Sequence, residues 1–184
     1  MATAPQTLLS VDEFLARSDE FEGKWELHEG VAVCMAPEQL GHGLTKLAAV
    51  NALAAAIPRA GAPCLAVPDG VGVRVSARSM YQPDALVYCG PRLSLDTREI
   101  PEPVVVVEVL SRSTAARDQS VKLAGYFSIP RAVHYLILSP ESRIVIHHKR
   151  GQGDLIETRI LREGPLRLDP PGIEVEAGQL FATE

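Results

Sequence analysis

Lysine is scarce in this chain: of eighteen basic residues only four are lysines, Lys24, Lys46, Lys122 and Lys149. Arginine therefore supplies the general cationic surface, and each lysine is a candidate for a specific task. Positive charge is not in excess either. The formal net charge of −5 argues against a protein that coats nucleic acid by displacing counterions from phosphates, while leaving room for a local basic surface. Cysteine is sparse and unpatterned: Cys34, Cys64 and Cys89 show no CxxC spacing. Neither a zinc site nor a disulfide framework is expected, and two of the three fall in strand-like segments where a thiol packs as a small core residue. Long apolar runs are missing, and "MATAPQTLLSVDEF" lacks the basic start and apolar core of a signal peptide. The expectation is a soluble, cytoplasmic protein with no membrane partner. No Pro/Gly/Ser-rich tract, low-complexity run or internal repeat divides the 184 residues, which predicts one domain over 1–184.

What is present reads as alternating helices and strands. "SVDEFLARS" sets Ser10 three residues before Glu13, the capping-box spacing, with Phe14 and Leu15 as apolar anchors of a short first helix. "WELHEGVAVCM" predicts two short strands about a turn at Glu29 and Gly30, with Trp25 and Leu27 alternating against Glu26 and His28. "LGHGLTKLAAVNALAAAI" spaces Leu40, Leu44, Leu47, Val50 or Ala54, and Ile57 along one face of the main amphipathic helix, which is expected to end before Pro58. Strands follow near Val71 to Val75, Asp84 to Tyr88 and Val104 to Leu110, then a helix from about Ala115 to Phe127, then strands at "VHYLIL", "RIVIHH" and "IETRIL". The order predicts an α/β (α+β) sheet flanked by helices, with a right-handed crossover from Val104 through the second helix to "VHYLIL" joining parallel strands.

The run "VVVVEVL", 104–110, has the continuous β-branched pattern of a strand covered on both faces, yet holds Glu108. A carboxylate in such a place takes a proton or finds a partner. "QPDALVYC" puts Pro83 at the first position of another strand and Asp84 just inside it. Antiparallel pairing with Tyr88 opposite Val104 brings Asp84 opposite Glu108, with Cβ atoms ~5 Å apart. Two like charges that close need a proton or a cation between them, and Mg2+ suits two converging carboxylates. A slip of one residue would send the two acids to opposite faces.

The following helix offers a third member. From Glu108 to the turn is ~10 Å at strand rise, and about seven helical residues lead back a similar distance, which brings the helix level with Glu108 near Lys122. Two readings follow from the spacing. In one, the Lys122 ammonium enters the acidic site and stabilises charge on a phosphoryl group or positions an attacking water. In the other, Asp118 and Lys122 form an ordinary i,i+4 surface pair.

"WELHEG" with a His-containing helix start, "QPDALV", "VVVVEVLSRST", and then Asp118, Lys122 and Tyr126 together resemble the bacterial family of small stand-alone restriction-endonuclease-like proteins in the PD-(D/E)XK nuclease superfamily, from about Thr7 to Phe181. The resemblance implies a restriction-endonuclease-like mixed central β-sheet flanked by helices and a Mg2+- (or Mn2+-) dependent phosphodiesterase site. Asp84 and Glu108 match the two acids of the motif, as catalytic metal ligands. The motif's lysine stands two residues after the second acid, where this chain has Leu110, so the resemblance passes that role to Lys122. Glu26 resembles an additional N-terminal acid that completes the metal set; the residues alone leave it equally a solvent-facing strand carboxylate. His42 has a phosphate- or water-ordering role on one reading and a capping or surface role on the other. Tyr126 is an accessory site group or a packing aromatic, and Asp118 orients Lys122 or faces water.

Three functions compete: a nuclease on nucleic acid, with DNA the expected substrate and a homodimer the expected assembly; a non-catalytic binding or scaffold module on the same fold; and a metal-dependent phosphoesterase on small nucleotides. Candidate nucleic-acid contacts are Arg74, Arg78, Arg112 and Arg117, together with Arg143, His147, His148, Lys149 and Arg150 of "RIVIHHKR", which a solvated hairpin explains equally well.

Overall fold

A computed structural model describes residues 8–110 and 116–182 of the chain, and for 116–118 the backbone alone. The capping box forms as its spacing demands. Ser10 Oγ accepts from the Glu13 N–H at 3.2 Å and the Glu13 carboxylate accepts from the Ser10 N–H at 2.7 Å, which starts α1 (Val11–Ala16). The hairpin of β1 (Trp25–His28) and β2 (Val31–Cys34) turns at Glu29 and Gly30, whose φ values of 48° and 86° are those of a two-residue turn that needs both central residues in the left-handed region. Then come α2 (Leu40–Arg59), β3 (Leu65–Pro68), β4 (Val73–Ser76), β5 (Ser79–Tyr81), β6 (Ala85–Tyr88), β7 (Val105–Val109), α3 (Ala116–Phe127), β8 (His134–Ser139), β9 (Ile144–Arg150), β10 (Ile156–Leu161), β11 (Pro165–Leu168) and β12 (Ile173–Glu176).

The central sheet has the order β10-β9-β8-β7-β6-β3. It is mixed: β7 and β8 run parallel across the α3 connection, and the other neighbours are antiparallel. A smaller sheet, β2-β1-β5-β4, and the β11-β12 ladder complete the fold. The valine run of β7 is covered on both faces. Val105 and Val107 pack with Leu53, Ala56 and Ile57 of α2 and with Leu166 and Ile173 of the last ladder, while Val106 packs with Leu86, Tyr126, Tyr135 and Ile137 on the α3 side. Glu108 shares the parity of Val106.

The apolar face assigned to α2 is corrected except at Ile57, which is buried as expected. The buried residues are Thr45, Lys46, Ala49, Ala52, Leu53, Ala56 and Ile57, whereas Leu40, Leu44 and Leu47 stay 78%, 43% and 56% exposed. Small side chains on the buried face let the helix lie close to the sheet, and longitudinal spacing of leucines cannot reveal that. The helix also continues through Pro58 to Arg59 rather than stopping before the proline. By length and composition α2 is apolar enough to cross a bilayer, against the expectation that no such run exists; its packing on β3, β6, β7 and β12 makes it a core helix. Strands β3, β5, β11 and β12 add to those expected.

The cysteine expectation is likewise corrected: Cys64 and Cys89 are disulfide-bonded, and Cys34 is free and exposed. The cause is register. Leu65 pairs with Tyr88 at the end of the β3–β6 ladder, so the next residues outward, Cys64 and Cys89, face each other.

Candidate active site

The β6–β7 register is Ala85 with Val107, Leu86 with Val106 and Val87 with Val105, so the next pair outward is Asp84 with Glu108, as pairing Tyr88 with Val104 requires. The Asp84 N–H donates to the Val107 carbonyl at 3.0 Å and continues the ladder. Asp84 is 4% exposed. Its Oδ2 accepts from the Val109 N–H at 2.7 Å, and its Oδ1 lies 3.4 Å from the Lys24 ammonium and 3.6 Å from that of Lys46. Burial alone would raise its pKa, but His42, Lys24 and the Val109 N–H outweigh it and hold the carboxyl down to about 2. Glu108 goes the other way. Burial pushes it up to about 7, with Lys122 pulling against that and the charges of Asp84 and Glu26 adding to it.

Lys122 comes in from α3 and is 5% exposed. Its Nζ donates to Glu108 Oε1 at 3.1 Å and to Glu26 Oε1 at 2.9 Å, and lies 5.7 Å from the centroid of the Tyr81 ring. Its ammonium is turned inward and not onto the surface. Glu26 reaches this place because Trp25 and Leu27 face the small core of Val11, Phe14 and Met80, which turns the alternate residues, Glu26 and His28, the other way. Both Glu26 oxygens are engaged: Oε1 also accepts from the Gln82 N–H at 2.9 Å, and Oε2 lies 3.0 Å from His28 Nε2. Burial would raise Glu26, but His28, Lys122 and the Gln82 N–H bring it below its ordinary value. Tyr126 is fully buried, stacked edge-on against Tyr81 at 5.6 Å, and donates its hydroxyl to Glu108 Oε1 at 2.7 Å. It both packs and orients an acid.

A second group lies on the other side of Asp84. Lys46 donates to both Glu38 oxygens at 2.8 and 2.7 Å and to Asp69. Burial would lower the Lys46 pKa, and these carboxylates outweigh it and raise it. One ligand-type atom each from Glu38, His42 and Asp84 lies within 4.8 Å of the others. The Nδ1 of His42 is buried with no hydrogen-bond partner among the described residues. The whole arrangement opens on a cleft of about 700 Å³ lined by Lys24, Glu26, His42, Asp84, Glu108 and Lys122 among others.

Sequence reasoning missed Lys24, Lys46, Glu38, Asp69 and His28 as neighbours of the two acids. The signal was the scarcity of lysine: three of the four lysines meet here. Among the described residues, the expected nucleic-acid contacts are not gathered at the cleft. Arg74 is clamped by Glu99 at 3.0 and 2.9 Å and by Asp12 at 2.6 Å, and Arg78 is exposed in the β4–β5 turn; neither lines the cleft. The β9 group mostly holds the fold together. Arg150 donates to the carbonyls of Phe127, Ile129 and Ala132, Arg143 to that of Ala182, His147 bonds with His134, and His148 with Thr158. Lys149 is partly exposed on the same strand, away from the cleft lining. Arg112 lies outside the described residues, as do the side chains of Arg117 and Asp118.

Comparison with known proteins bears on the family and the fold. The family Uma2, described as "Putative restriction endonuclease", matches residues 11–180. An uncharacterized protein of Synechocystis is 29% identical over 181 residues, covering 97% of this chain and 94% of its own. A crystal structure titled as a putative nuclease belonging to DUF820, from Anabaena variabilis, superposes with a TM-score of 0.72 at 16% identity, over 94% of this chain and 97% of the other, and so shares its fold. The chain belongs to the Uma2 family and has the restriction-endonuclease-like fold expected of it.

Proposed function

We propose that this protein is a metal-dependent endonuclease that hydrolyses phosphodiester bonds of DNA. The observation that carries the reading is the convergence of Lys122 with Asp84 and Glu108 in one cleft, although the lysine sits on a different element and two residues after Glu108 the chain has Leu110. The donor set fits a hard divalent ion. Asp84 and Glu108 would hold Mg2+, and the neighbouring Glu38 and the imidazole of His42 would admit Mn2+ as well. When bound, such an ion supplies Lewis acidity toward the phosphoryl oxygens and a water acidic enough to attack at neutral pH.

The chain's own groups do the rest. The Val109 N–H holds Asp84 and Tyr126 holds Glu108, so neither carboxylate must be ordered when substrate arrives. Lys122 places a compact positive charge where negative charge builds on phosphorus. Glu26, expected among the metal ligands, lies beside the set and, through its bond to Lys122, fixes that ammonium toward Glu108. Cutting both strands of a duplex calls for two such sites, and a two-fold homodimer is the commonest way to supply them.

A second reading has an observation in its favour. The described cleft lining includes five acids, Glu26, Glu38, Asp84, Glu108 and Glu141, against Lys24 and Lys122, which suits a small phosphodiester better than a long polyanion. One experiment separates the two. The purified protein is incubated with Mg2+ or Mn2+ and plasmid, single-stranded DNA or a small chromogenic phosphodiester. The nuclease reading expects plasmid cleavage that needs the ion and falls by roughly a hundredfold or more in Asp84→Ala. Turnover of the small diester alone favours the second reading, and ion binding with no turnover of any substrate leaves a scaffold.

A further inference from the structure

The central sheet has two edges of different character. At one end β3 finishes in Pro68, which has no N–H to offer, and is tied down beside its first residue by the Cys64–Cys89 bond. At the other end β10, "IETRIL", contains no proline and no glycine, and Ile156 to Ile160 are all exposed. Ile156 is 36% and Ile160 68% exposed. An apolar edge strand left this open is a template for another strand.

Which backbone groups face outward follows from the ladder. β10 pairs with β9 so that Ile156 meets Arg150, Thr158 meets His148 and Ile160 meets Ile146. The Gly151 N–H donates to the Leu155 carbonyl at 2.8 Å, and the Arg150 N–H points the other way, to Val133 of the β8 side. Hydrogen-bonded and non-bonded pairs alternate along an antiparallel ladder. Glu157 and Arg159 therefore turn their backbone groups toward β9, and Ile156, Thr158 and Ile160 turn theirs outward.

The segment Ile156-Glu157-Thr158-Arg159-Ile160 is complementary to itself when reversed. We propose that β10 is the homodimer interface of this protein, pairing antiparallel with β10 of a second copy about a two-fold axis at Thr158. In that register Thr158 faces its own counterpart once, on the axis, while Ile156 faces Ile160 and Glu157 faces Arg159, each of these two pairs occurring twice. The outward N–H and C=O groups of Ile156, Thr158 and Ile160 then satisfy one another, and the Glu157–Arg159 pairs fall at the non-hydrogen-bonded positions, where opposed side chains come closest. The neighbouring symmetric registers put Glu157 on Glu157 or Arg159 on Arg159, so charge selects this one. The result is a continuous sheet through both copies. The proposal deepens the homodimer part of the nuclease reading, but its test measures size and not cleavage, so either can fail without the other.

The test is sedimentation of the full chain over a range of concentrations, with melting curves to check folding. Wild-type protein is expected to dimerise reversibly. Glu157→Arg sets arginine against arginine, and Arg159→Glu sets glutamate against glutamate; each should weaken the dimer by roughly tenfold or more. Mixing the two variants should restore a dimer, because each now carries the charges the other lacks, and a misfolded variant could not be rescued in this way. Thr158→Pro gives an independent arm. It removes an N–H that β9 does not use, and it should also yield monomer. A wild-type protein that stays monomeric at every concentration overturns the proposal. So does a dimer that survives all three substitutions, as one built on the exposed Leu40, Leu44 and Leu47 of α2 would.

Discussion

Lys122 is the residue on which the proposed chemistry turns. Its ammonium lies between Glu26 and Glu108 at 2.9 and 3.1 Å, nearly out of solvent. Lys122→Ala should slow cleavage by about 10²- to 10³-fold, since the lost interaction acts on charge in the transition state. Ion binding measured by calorimetry should persist in that variant. The same change strands two acids, so melting should show a loss of about 3 kcal/mol. Lys122→Arg should not restore the rate, because a planar fork cannot sit as a point charge between two carboxylates. Wild-type cleavage by folded Lys122→Ala would end the catalytic assignment. Glu108→Gln keeps an acceptor for the Tyr126 hydroxyl while removing a charge that Asp84 and Glu26 both oppose. The expected outcome is a higher melting temperature without metal together with weaker ion binding; a lower melting temperature would show that Glu108 is held as a structural partner of Lys122.

At the scale of elements, α3 can deliver Lys122 only because it passes close to β5. A Cβ added at Gly125 would stand 2.7 Å from the Tyr81 ring and 3.3 Å from Val75. Gly125→Ala should therefore push the helix outward, lower the melting temperature, and reduce cleavage more than it reduces ion binding to Asp84. Equal loss of both would mean that the helix does not set the lysine position. Strands β8 and β9 carry a different device. His134 and His147 are bonded to each other at 2.8 Å and buried, and His134 also meets the Pro170 carbonyl at 2.9 Å. Burial lowers both, to about 3 and about 4. Their folded pKa values lie below the unfolded value, so the unfolded chain binds protons first. Their contribution is complete above the ordinary histidine pKa and is lost as pH falls from there through the folded values. Stability should drop by up to about 1.4 kcal/mol per pH unit for each histidine in that window. Denaturant titrations between pH 7 and pH 4.5 check this, and His147→Asn should flatten the slope.

At the scale of the whole molecule, a site that binds an ion only when folded must raise stability on loading. Near hundredfold saturation the gain is about 2.7 kcal/mol, several degrees for a chain of this size. Mg2+ or Mn2+ should therefore raise the melting temperature of the wild type and leave that of Asp84→Ala unmoved. A wild type indifferent to both ions would remove the metal assignment while leaving the fold intact.

Much of the site is legible in the amino-acid order alone, because strand pairing is a local, periodic problem. Pairing Tyr88 with Val104 is one assumed register, and the β6–β7 ladder adopts it, which decides that Glu108 faces Asp84. The reach back from Glu108 to Lys122 is likewise a matter of rise per residue. The buried face of α2 is not legible, since most of its leucines are periodic on the outer side, and its contact face places Ala49, Ala52 and Ala56, which matter for how little space they take, beside Leu53 and Ile57. Nor is the gathering of Lys24, Lys46, Glu38 and Asp69 around Asp84, for they come from separate segments whose distances in space do not follow from their spacing in the chain. The disulfide is hidden for the same reason, Cys64 and Cys89 meeting only through a β3–β6 ladder that the sequence does not announce. By itself, then, the sequence carried the family resemblance in its ordered motifs and, through strand and helix geometry, offered the opposed pair Asp84 and Glu108 and a lysine level with them as one of the open readings. Only the tertiary structure decided how their charges are held, which face of α2 is inside, and that β10 stands open at the edge of the sheet, because these depend on which distant segments compete for the same space.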